Sequence, residues 1–85
     1  MSNKYVLDTH AIVWYLEGNP KLGNAAKRIL DATEEDLVIP IIALAEAAFI
    51  VTQGKTNIPN VAQLLADLNA DPRMQIMALS YPIFE

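Results

Sequence analysis

Two short runs, Tyr5-Val6-Leu7 and Leu37-Val38-Ile39, carry no polar residue at alternate positions. A strand with one wet face alternates, whereas a strand covered on both faces does not, and that is the habit of parallel sheets. Between the runs lies a helical pattern. The unit therefore reads strand, helix, strand, and its right-handed crossover favours a parallel sheet. The class that follows is α/β. Asp8 comes directly after Leu7, at the carboxyl end of the first strand, where loops leaving an open α/β sheet surround a crevice that binds ligands. Asp is also a good N-cap, and its oxygen can simply accept amide hydrogens from the helix that follows.

The remaining elements follow from periodicity and stop signals. Ala11 to Glu17 reads as a short helix, apolar around most of its circumference, halted by Gly18-Asn19-Pro20. Leu22, Ala25, Ala26, Ile29 and Leu30 recur at amphipathic helical spacing, and Glu34-Glu35-Asp36 reads as a solvated loop. Pro40 closes the second strand. A nearly all-apolar helix then runs from about Ile42 to Gln53, with Gly54 as its stop. Asn60 and Gln63 have the form of a capping box before the stripe Val61, Leu64, Leu65, Leu68. Met74 to Leu79 reads as a third strand, and Pro82 suits the first position of a further helix.

Composition narrows the function. The chain has 85 residues, enough for one domain with a modest core. It has no cysteine, which excludes disulfides and thiolate zinc sites. No basic segment precedes the first apolar run, and the stretch from Leu37 to Gln53 is too short and too interrupted to span a membrane. A cytoplasmic protein with no membrane contact is the expectation. A net charge of −4 weighs against a sequence-reading nucleic-acid binder. It leaves room for a nuclease, whose acids are neutralised by a divalent cation that then meets the phosphate.

Glu46 is the only charged residue between Asp36 and Lys55, and it stands early in a helix that otherwise reads as core. A carboxylate buried there would need compensation. It could instead point to solvent or favour the dipole of the helix start. If the strands are parallel, the helix leaving the second strand begins beside the loop leaving the first, so Asp8 and Glu46 converge. Two carboxylates suit a hard cation such as Mg²⁺ or Mn²⁺, completed by water and substrate phosphate. Thr9 can add a hydroxyl to that water shell. His10 reads as an early helix residue rather than a general base.

Val6-Leu7-Asp8-Thr9-His10, together with Leu37-Val38-Ile39-Pro40-Ile41-Ile42-Ala43-Leu44-Ala45-Glu46, resembles the N-terminal half of a PIN domain. The likeness is to the VapC-like toxins of bacterial and archaeal toxin–antitoxin pairs in particular. Gln53-Gly54-Lys55 and Leu79-Ser80-Tyr81-Pro82 extend it over essentially the whole chain. The resemblance implies a three-layer α/β/α fold, here with a parallel sheet of three strands and about four helices. It implies Mg²⁺- or Mn²⁺-dependent endoribonuclease cleavage of structured RNA, and a cognate antitoxin as protein partner. The family's first and second acids, metal ligands and catalytic groups, map onto Asp8 and Glu46. Its third acid, and usually a fourth, follow the helix expected at Pro82, so residues 1–85 are expected to be the N-terminal portion of such a domain. Ala43 stands where many members place a capping Ser or Thr.

A PIN-like sheet has five strands with the first in the middle. With three strands the first lies at an edge, and a bare edge invites pairing with another chain. A homo-oligomer, joined through that strand or through the apolar helices, is the expectation. The alternative to a nuclease is a non-catalytic module for oligomerisation or antitoxin binding, using Trp14, Tyr15, Phe49 and Ile50. Two enzyme classes fit poorly. A haloacid-dehalogenase-like phosphotransferase has a second Asp where His10 stands, and dinucleotide or P-loop folds need a Gly-rich turn that Thr9-His10-Ala11 does not supply.

Overall fold

The computed structural model describes residues 4–78. Along the chain run β1 (Lys4–Val6), α1 (Thr9–Glu17), a 3₁₀ turn (Pro20–Leu22), α2 (Asn24–Ala32), β2 (Asp36–Pro40), α3 (Ile41–Thr52), α4 (Val61–Asn69) and β3 (Met74–Met77). The three strands form one parallel sheet in the order β1-β2-β3. This is the α/β arrangement of three strands and four helices that the sequence implies. Leu79 and the helix expected from Pro82 lie outside the described residues.

Burial of the strands departs from expectation in one respect. β2, paired on both sides, is the covered strand: Leu37 and Ile39 are wholly buried and Val38 nearly so. β1 was expected to be buried on both faces, yet Tyr5 is exposed and Val6 is 67% exposed. Only Leu7, just past its end, is enclosed. The reason is position. Among the described residues β1 pairs with β2 alone, so it forms the edge that a three-stranded sheet was expected to leave.

Local signals set most helix ends. Asp8 caps α1, accepting the Ala11 amide at 2.8 Å. Gly18 ends that helix in the left-handed region at φ 68°, where its N–H reaches the carbonyls of Trp14 and Tyr15, a conformation that costs glycine least. Gly54, at φ 71°, does the same after α3. Asn60 caps α4 through the Gln63 amide at 2.8 Å. The capping box stays half-formed, because the Gln63 side chain donates to Asp67 instead of returning to Asn60.

One core joins these elements. Leu7, Ile12, Val13, Leu30, Leu37, Ile39, Leu64 and Leu68 belong to it, with Ala43, Ala47 and Val51 of α3. Those last three recur every fourth residue, the stripe of one helix face. The other flanks of α3 stay open: Ile42 is 57% and Phe49 61% exposed. A helix apolar all round predicts all-round burial, and here Ala43, Ala47 and Val51 form the buried face, with Leu44 and Ala48 partly buried against the core.

Candidate functional site

The carboxyl ends of β1 and β2 lie side by side in register, Val6 against Val38. The chain leaves β1 through Asp8 into α1 and leaves β2 through Pro40 into α3, so both helices start at the same end of the sheet. The first turn of α1 and the second and third turns of α3 border a cleft of about 530 Å³ lined by Asp8, Thr9, His10, Ala45, Glu46, Phe49 and Ile50. The two acids singled out in the sequence therefore face one cavity, although 37 positions separate Thr9 from Glu46.

Glu46 is exposed, so the burial anticipated from its apolar neighbours does not occur. What orients it is a hydrogen bond: the Thr9 hydroxyl donates to Glu46 Oε1 at 2.7 Å. Thr9 was expected to serve a cation's water shell, and its proton is already committed to the carboxylate. Asp8 is likewise half engaged, with Oδ1 taking the Ala11 amide. Capping and cleft-lining are thus compatible uses of one side chain. Among the described residues Oδ2 of Asp8 and Oε2 of Glu46 accept no hydrogen bond, which leaves each acid one open oxygen.

That donor set of two exposed carboxylates suits a hard divalent cation. No group of three or more Asp, Glu, His or Cys side chains able to hold a metal occurs among the described residues. Two protein carboxylates agree with the habit of Mg²⁺, which keeps several waters and takes phosphate oxygens as further ligands. His10 is exposed at the rim and lies against Trp14, ring centroids 5.3 Å apart and planes tilted by 43°.

A family model described as PIN domain matches residues 5–85. The chain belongs to the PIN domain family. No curated protein and no solved structure matches it. Membership points to nuclease-type chemistry with RNA as substrate, and PIN domains in general depend on a divalent metal. In this PIN domain no helix among the described residues is long and apolar enough to cross a membrane.

Two features of the PIN domain were not foreseen. Glu17 closes α1 by accepting Thr56 Oγ1 at 2.6 Å and the Asn57 amide at 2.8 Å on one oxygen, and Asn19 Nδ2 at 3.2 Å on the other. Burial pushes this carboxyl up, but those hydrogen bonds and the charge of Lys21 outweigh it and hold it below its ordinary value. Nothing local to Glu17 signals a partner 39 residues away. The second is Tyr15, expected on an interaction surface. It packs on the core, and its hydroxyl lies among Arg73, Asp31 and the Leu30 carbonyl.

Proposed function

We propose that this PIN domain acts as a Mg²⁺- or Mn²⁺-dependent endoribonuclease of the VapC-like toxin kind, with the cation held by Asp8 and Glu46. One observation carries the reading: both acids open onto one cleft while a third side chain, Thr9, holds Glu46 in place. Asp8 keeps Oδ2 for the ligand while the α1 cap fixes Oδ1. Glu46, steadied through Oε1, presents Oε2. When bound, the cation polarises a phosphoryl oxygen and makes water a better nucleophile. Ala45, Phe49 and Ile50 form the apolar part of the lining beside the acids.

Calorimetric titration with Mn²⁺ tests this, comparing the native chain with Glu46→Gln. Saturable binding lost in Glu46→Gln, together with RNA cleavage lost in Asp8→Asn, supports the nuclease. A folded protein that binds no Mn²⁺ sinks it.

The second reading, a non-catalytic module for self-association or antitoxin binding, is favoured by exposed apolar residues. Ile42 and Phe49 lie open on α3, and Val6 on the edge strand β1. Such an edge suits pairing with a second copy. Light scattering that finds only monomer would count against the homo-oligomer, and antitoxin binding without Mn²⁺ binding would favour the module over the enzyme.

A further inference from the structure

A second groove, of about 870 Å³, lies beside the acid-lined cleft, with His10, Phe49 and Ile50 lining both. Its lining includes Lys21 from the 3₁₀ turn, Lys55 from the loop after α3, and Trp14. It differs in kind from the small apolar hollow beside β1, which is lined by Tyr5, Val6 and Ile29 without a charge.

We propose that this groove holds single-stranded RNA beside the cleaved bond, with bases stacked on Phe49 and the His10–Trp14 ring pair and phosphates beside Lys21 and Lys55. The inference rests on the nuclease reading for its direction, since it runs from the acids outward.

Three observations carry it. First, the groove adjoins the cleft across the shared residues His10, Phe49 and Ile50, so a chain with a phosphodiester at Asp8 and Glu46 can extend into it. Second, its rings are available: Phe49 is 61% exposed, and His10 is exposed against Trp14. Ring faces of this kind take unstacked bases, which single strands offer and duplexes hide. Third, its charge favours phosphate despite the chain's net −4. Lys21 and Lys55 are exposed and make no ion pair among the described residues. The one carboxylate lining the groove, Glu17, has both oxygens occupied by Asn19, Thr56 and Asn57. Those bonds also fix the loop bearing Lys55, so the cation stands on a braced segment.

Trp14 is the only tryptophan in the chain, so its fluorescence reports from inside the groove. The probe is a single-stranded oligouridylate titrated in EDTA, which prevents cleavage, with the corresponding duplex as control. The expected result is saturable quenching by the single strand and none by the duplex. Phe49→Ala should weaken binding by roughly tenfold or more. Lys21→Ala with Lys55→Ala should lower the salt-dependence slope by about 1.4, or ~0.7 per phosphate contact on a single strand. All three positions are exposed, so melting temperatures should not move. Wild-type affinity in these variants, or no quenching at low salt, overturns the proposal and leaves the groove to a protein segment. If Mn²⁺ binds and RNA is cut while those variants behave as wild type, the groove fails and the nuclease stands. If quenching follows the lysines but no Mn²⁺ binds, the groove stands and the nuclease fails.

Discussion

The Thr9 hydroxyl donates to Glu46 Oε1 at 2.7 Å, joining the first turn of α1 to the second turn of α3 across the mouth of the cleft. Groups that orient a metal-binding carboxylate typically contribute 10- to 100-fold to affinity. Thr9→Val keeps the side chain's shape and removes the donor. The expected outcome is a drop of about tenfold or more in Mn²⁺ affinity by calorimetry. Thr9→Ser should retain it. Because the bond is exposed, thermal stability should fall by no more than about 1 kcal/mol. Equal affinity in Val and Ser variants would show that Glu46 needs no such support.

Asp8 caps α1 and, in the proposed function, also holds the cation, two roles that substitution separates. Asn caps a helix about as well as Asp, whereas Ala forfeits the cap at a cost of about 1 kcal/mol. Asp8→Asn should therefore melt with the native protein while losing Mn²⁺ binding and cleavage. Asp8→Ala should lose both and melt ~4–8 °C lower, the shift that 1 kcal/mol gives in a domain of this size. If Asp8→Asn keeps full cleavage, capping is all that Asp8 does.

Acid should loosen the join between α1 and the loop after α3. The folded value of Glu17 lies below its ordinary 4.5. Its stabilising contribution is thus complete above the ordinary value and is lost as pH falls through the folded one. Asp71, lowered by its hydrogen bond from Arg73, behaves with the same sign. Thermal melts from about pH 7 to pH 3 should show stability falling on the acid side. Glu17→Gln should start lower at neutral pH, because an amide group would face the donors that a carboxylate accepts. Its further fall on acidification should be shallower. An acid limb as steep as that of the native protein would remove Glu17 from the account.

The Thr9–Glu46 bond and the contacts of Glu17 fall where the sequence was silent, and the reason is distance along the chain. Asp8 as cap, Gly18 and Gly54 as stops, Asn60 as cap and the apolar run of β2 are local signals, each legible within a few residues. The convergence of Asp8 and Glu46 on one cleft followed from topology alone, since parallel strands bring their exits to one end. How Glu46 is held did not follow, because Thr9 lies 37 positions away, and Glu17 reaches 39 to Thr56. The exposure of α3 was misread for a different reason. Periodicity cannot rank the faces of a helix that is apolar on all of them, and only the packing reveals that Ala43, Ala47 and Val51 form the buried one.

Arg73 should matter to the fold and not to the cleft. It stands just before β3, at the opposite end of the sheet from Asp8 and Glu46. Its guanidinium donates to both oxygens of Asp71, at 3.0 and 2.6 Å, to the Thr33 carbonyl at 2.8 Å, to the Leu30 carbonyl and to the Tyr15 hydroxyl at 3.2 Å. The Leu30 and Thr33 carbonyls belong to the end of α2, where a cation also meets the favourable end of the helix dipole. One side chain thus fastens α1, α2 and the start of β3. Lysine has the charge without the planar fork and cannot serve these acceptors together. Arg73→Lys should cost about 1–3 kcal/mol in urea unfolding, and Tyr15→Phe about 0.5–1.5 kcal/mol. The double variant should lose less than the sum, because the two share a bond. Mn²⁺ affinity of the folded Arg73→Lys protein should equal that of the native chain. A loss of Mn²⁺ binding under conditions where the variant is fully folded would mean that the two ends of the sheet are coupled.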